Sequence, residues 1–216
     1  MRKTVLALAL AALAAPALAQ NAAPGPWLVR VRAVNLNMDN KSEPGSGALT
    51  PALLPGDALQ ASNKTIPEAD ITYFFTKHLA AELILTVPQK HNVKIATGPL
   101  AEGIGSFKHL PPTLTLQWHF LPDAAIRPYV GAGINYTKIS GVNLFSTKVP
   151  ATLTLDSSST GAALQAGFDV PFGRNMVFNV DVKKLYISTD VKVAGAKVSA
   201  LDLNPLAVGV GIGWRF

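Results

Sequence analysis

The chain has no cysteine among its 216 residues. That excludes a disulfide-stapled scaffold and any thiolate metal site. Charge is scarce too: Asp, Glu, Lys and Arg together make up 15% of the sequence, against roughly 25% in an average soluble domain. Beyond residue 19 no apolar run approaches the roughly 18 residues that a membrane-spanning helix requires. Yet 49% of the residues are hydrophobic. An apolar chain without spanning helices is either a dry globular core or a membrane barrel whose apolarity is spread in alternation. The formal charge is +6, but the lysines are scattered through turns and loops. With no RNP, helix-turn-helix or zinc pattern, nucleic acid is excluded as a partner.

What is present begins at the N-terminus. Met1-Arg2-Lys3 is a short basic start, Val5 to Ala15 is rich in Ala and Leu, and Ala17-Leu18-Ala19 has the small-x-small form of a secretory cleavage site. This predicts a cleaved signal peptide over residues 1–19 and a mature, exported domain over residues 20–216.

The mature sequence alternates. In the final run, Leu206, Val208, Val210, Ile212, Trp214 and Phe216 share one parity, and Ala207, Gly209, Gly211, Gly213 and Arg215 the other. Period two is a β-strand with one apolar face and one nearly bare face. The same alternation occurs over Trp27–Asn37, Ile66–Thr76, Leu79–Val87, Thr113–Phe120, Arg127–Thr137, Gly161–Val170 and a strand beginning at Met176. Long polar segments (Met38–Asn63, Gly98–Gly105, Ser140–Ser159) read as loops and take turns with short connections. Eight strands with long and short connections in alternation predict an all-β, eight-stranded antiparallel transmembrane β-barrel in the outer membrane of a Gram-negative cell.

One parity is almost purely Val, Leu, Ile, Phe, Trp and Tyr. Charges on a lipid-facing surface cost roughly 2–4 kcal/mol each at the midplane, so the charged parity must face the lumen. Arg30, Arg32, Glu82, Asp169, Asp181, Lys183 and Arg215 fall on it. Buried charges need partners, so these residues are expected to form a salt-bridged network that closes the lower lumen. A solute could then leave only sideways. Pro88 and Pro112 are candidate edges of such a lateral opening, because proline lacks the N–H that stitches strands together. Leu53 and Leu54, in the longest outer loop, are the candidate channel mouth.

Two stretches carry a family resemblance. His109-Leu110-Pro111-Pro112-Thr113-Leu114 and Arg127-Pro128-Tyr129-Val130-Gly131-Ala132-Gly133-Ile134-Asn135-Tyr136 resemble hallmark segments of the OmpW family of outer-membrane proteins. Leu201-Asp202-Leu203-Asn204-Pro205 and the terminal Trp214-Arg215-Phe216 are similar to that family's last strand. The resemblance implies a narrow, mostly hydrophobic channel for passive uptake of small apolar molecules. It also implies that Phe216 is the terminal aromatic read by the outer-membrane assembly machinery. The expected partners are outer-membrane lipid, small hydrophobic solutes and that machinery.

Rival readings are an outer-membrane enzyme acting on lipid, as the eight-stranded lipid A palmitoyltransferase does, and a structural or adhesion barrel. No G-x-S-x-G elbow is present. His78, His91, His109 and His119 show no ligand spacing and read as pore-lining or interfacial. Gly131-Ala132-Gly133 continues a strand rather than opening a helix, so it is no phosphate loop. No metal, cofactor or catalytic set is expected.

Overall fold

The computed structural model describes residues 25–149 and 152–216; the expected signal peptide over residues 1–19 lies outside them. In chain order the strands are β1 (Trp27–Asn37), β2 (Lys41–Ser42), β3 (Leu59–Ala61), β4 (Lys64–Phe74), β5 (Leu79–Thr86), β6 (Gln89–Ile95), β7 (Glu102–Leu110), β8 (Thr113–His119), β9 (Arg127–Leu144), β10 (Leu153–Leu155), β11 (Ser158–Phe172), β12 (Met176–Leu185), β13 (Ser188–Val193), β14 (Ala196–Asp202) and β15 (Leu206–Arg215). Eight of them close a ring, β1–β4–β5–β8–β9–β11–β12–β15 and back to β1, with every neighbour antiparallel. Closure gives each of the eight strands a partner on both sides, so the sheet has no free edge strand. The ring is sealed where β15 returns to β1 in a continuous register from Leu28↔Arg215 to Asn37↔Leu206.

The pleat sorts the side chains inside out. Along β1, Arg30 and Arg32 are buried while Val31 between them is 45% exposed. The same inversion runs round the ring, with Leu83, Leu114, Leu116, Val130, Ile134, Leu164, Phe178, Val208 and Val210 all exposed. A soluble protein would hide this apolar surface; here it forms a continuous outer band. Trp27, Tyr73 and Phe75 lie edge to face along its lower rim.

The other seven strands raise the wall above that band. Segments that read as loops are partly strand: β2 pairs with β14, β3 with β6, β6 with β7, and β10 joins β9 to β13. Outside the bilayer a strand's outer face meets water. Lys, Asn and Gly there erase the apolar alternation by which the membrane strands are recognised.

Inside, the barrel has two storeys. The lower one is lined by charged and polar groups. The upper one is a hydrophobic cluster including Val34, Leu36, Leu54, Ile66, Phe107, Ile139, Leu144, Ile187 and Leu203. Single strands pass from one to the other without a change of parity: β1 presents Arg30 and Arg32, then Val34 and Leu36.

Candidate functional site

The floor of the lumen begins with two arginines and the glycines facing them. A Cβ on Gly213 would stand 2.9 Å from Cγ of Arg30, and one on Gly211 2.9 Å from Cγ of Arg32. The bare inner face of β15 is therefore the bed on which the aliphatic stems of the two arginines of β1 lie.

Arg30 donates from Nη2 and Nε to Asp169 Oδ2 and Oδ1 (2.6 and 3.1 Å), and from Nη1 to Glu82 Oε2 (2.5 Å) and Thr72 Oγ1 (2.8 Å). Arg32 donates to Asn179 Oδ1 (2.7 Å) and Glu68 Oε1 (3.2 Å). Its Nη1 also lies 3.0 Å from Asp70, a contact of charge that gives neither Asp70 oxygen a hydrogen bond. Lys183 Nζ donates to Glu68 (2.6 Å) and Asp181 (2.7 Å). Gln165 Nε2 ties the halves together, donating to Glu82 and Asp181 at 2.8 Å each, while the Tyr129 hydroxyl donates to Asp181 at 2.7 Å. Arg30, Arg32, Asp70, Glu82 and Asp181 expose 2% of their surface or less. Beneath them is a cavity of about 20 Å³ lined by Leu28, Phe74, His119, Asp169 and Arg215, among others, room for about one water. The floor is closed.

Six of the seven charged residues expected to meet do so: Arg30, Arg32, Glu82, Asp169, Asp181 and Lys183. Arg215 does not. It lies at the periplasmic rim, its guanidinium 4.2 Å from the Phe74 ring centre and its Nε donating to the Gly25 carbonyl. On β15 it lies opposite Leu28, two residues below Gly213, which faces Arg30. Glu68 and Asp70 were missed, although counting back by two from the inward Thr72 reaches both. Leu54 departs from an open mouth: it is buried in the upper cluster, whereas Leu53 beside it is 37% exposed.

The wall is unevenly stitched. The β5–β8 ladder ends at Ile84↔Thr113 and the β6–β7 ladder starts at Gln89↔His109. Between them Leu85 to Pro88 face Leu110 to Pro112 with no ladder. On the other side the β4–β5 ladder ends at Glu68↔Thr86, and β6 next pairs with β3 at Ala61↔Val93. That second break is crossed by side chains, with Thr86 Oγ1 donating to the Pro67 carbonyl (2.7 Å) and Lys64 Nζ to the Lys90 carbonyl (3.2 Å). Pro88 and Pro112 both sit in the wall at these breaks, joined by Pro67 and Pro111. Just inside, His91 and His109 stack at 4.6 Å, and three of their ring nitrogens have no hydrogen-bond partner.

The family model described as the OmpW family matches residues 24–216. The chain belongs to the OmpW family. Outer membrane protein W of Vibrio cholerae serotype O1 is 30% identical over 227 residues, covering 100% of both chains. The dibenzothiophene metabolism operon protein DoxH of a Pseudomonas species is 27% identical over 211 residues, covering 94% of this chain and 93% of its own. Among solved structures, the outer membrane protein OprG of Pseudomonas aeruginosa superposes with a TM-score of 0.75 at 26% identity, over 89% of this chain and 96% of that one. This OmpW-family chain is an outer-membrane barrel, and its exposed apolar band faces lipid.

Proposed function

We propose that the barrel admits small hydrophobic molecules from outside and releases them sideways into the membrane. The observation that carries this reading is a coincidence of level. The apolar upper storey ends on a polar floor where the wall loses its ladder on both sides of Val87 and Pro88. An apolar solute cannot cross a floor of eight interlocked charges, because their desolvated network offers it nothing and opening it would strand charge. A break in the backbone ladder is the remaining path. Leu53 and Leu54 form the cap that parts to admit the solute, and Phe216 is the residue the assembly machinery reads. The dibenzothiophene operon in the name of a relative supports an apolar, aromatic-sized solute.

Uptake of a labelled alkane by cells with and without the gene tests the channel itself. Restoring donors with Pro88→Ala and Pro112→Ala, which lets the ladders extend, is expected to lower uptake severalfold while the barrel still folds. Equal uptake with and without the gene would favour an enzymatic or structural barrel. Unchanged uptake in the double variant would remove the lateral route alone.

A further inference from the structure

The outward face just above the lipid-facing band carries a second pattern, distinct from the lumen. On three adjacent staves the first outward side chain beyond the last apolar one is a lysine. On the stave of β5 and β6, Val87 and Pro88 give way to Lys90; on that of β8 and β7, Leu114, Pro112 and Leu110 lead to Lys108; on β9, Ile134 and Tyr136 lead to Lys138. Lys94 stands higher on β6, also exposed.

The pairing brings these charges together. Lys90 is directly opposite Lys108, Lys138 is opposite Leu110, and Lys108 is opposite Ser140. Like charges directly opposed across strands destabilise a sheet, so a bare pair of this kind calls for a counter-charge. None is supplied by the protein: among the described residues no carboxylate lies within ion-pair distance of Lys90, Lys94, Lys108 or Lys138. The other side of the same raised wall is neutralised within itself. There Lys41 meets Asp57, Lys192 meets Asp156, and Lys197 meets Asp190 and Glu43. This sector of the rim is therefore cationic, whereas the lysines of β2, β13 and β14 carry their own carboxylates.

We infer that Lys90, Lys108 and Lys138, with Lys94 above them, bind the sugar-borne phosphate groups of an outer-leaflet glycolipid. Charge complementarity and continuity argue for this occupant. Its acyl chains lie on Val87, Leu114, Ile134 and Tyr136 directly below, at the depth where the apolar surface ends and phosphates begin. Lysine suits this role as a flexible point charge that reaches into the headgroup layer while its stem stays on apolar surface. The inference rests on the membrane placement of the barrel and not on transport.

The test uses the full barrel in maltoside micelles, titrated with bis-phosphorylated lipid A and read by native mass spectrometry. The triple variant Lys90→Gln, Lys108→Gln, Lys138→Gln is compared with Lys41→Gln, Lys192→Gln, Lys197→Gln, which removes the same charge from the balanced sector. Heat-modifiable mobility checks that both are folded. The first triple is expected to weaken binding on the order of 100-fold, at about fivefold per lysine, and the second to leave it unchanged. Removing both phosphates from the lipid should weaken wild-type binding as much as the first triple does. Equal binding by wild type and the first triple, equal losses in the two triples, or undiminished binding of the dephosphorylated lipid would each overturn the site.

Discussion

Arg30 holds two carboxylates and a threonine hydroxyl with three nitrogens, all away from water. Arg30→Leu leaves Glu82 and Asp169 buried without that partner. The expected cost is about 3–5 kcal/mol, visible as a lower urea midpoint of the refolded barrel. Adding Glu82→Leu and Asp169→Asn should recover much of the loss, because an apolar or neutral replacement of a whole buried ion cluster is often close to neutral. If the triple variant is as unstable as Arg30→Leu alone, the cluster's contribution is shape rather than charge.

At the scale of elements, β6 and β7 meet through His91 and His109. Burial holds both imidazoles below their ordinary pKa. For His109 the neighbouring His91 and Lys64 add to burial, and its pKa falls to about 3. The folded protein thus prefers neutral rings, while the unfolded chain takes up protons near pH 6.5. Their contribution to stability is complete above about pH 6.5 and is lost as the pH falls from there toward about 3. Amide exchange in β6 and β7, corrected for intrinsic rate, should therefore rise between pH 7.5 and 5 relative to the membrane strands. His109→Phe should flatten that rise. A wild-type barrel whose β6 and β7 protection does not change with pH would show that the rings are already solvated.

For the whole molecule, Phe216 finishes the lower end of the seam between β1 and β15. Phe216 exchanges two backbone hydrogen bonds with Trp27, at 2.9 and 3.1 Å, while its ring is exposed. Deleting it removes both the bonds and the ring. Phe216→Ala keeps the bonds, so it isolates the ring. If the assembly machinery reads the aromatic group, Phe216→Ala will refold in detergent like wild type yet yield less heat-modifiable barrel in outer membranes. Equal yields in cells would reduce the ring to lipid-facing packing.

The alternation of Trp27–Asn37 and of the last eleven residues, the missing spanning helix and the charge confined to one parity were sufficient to fix an outer-membrane barrel of eight strands. Parity is local: it needs only the pleat, which each strand carries by itself. The stretches around Pro111-Pro112 and Tyr129 pointed to the family for the same reason. What the tertiary structure alone decided is which groups on the inner parity meet. Glu68 and Asp70 join the floor and Arg215 does not, because register and the tilt of the ring set the height at which each strand delivers its side chains. The strands hidden in the outer loops, the two ladder breaks that flank Val87 and Pro88, and the lysines that converge from β6, β7 and β9 depend on pairing between distant segments. No periodicity within one strand records that pairing.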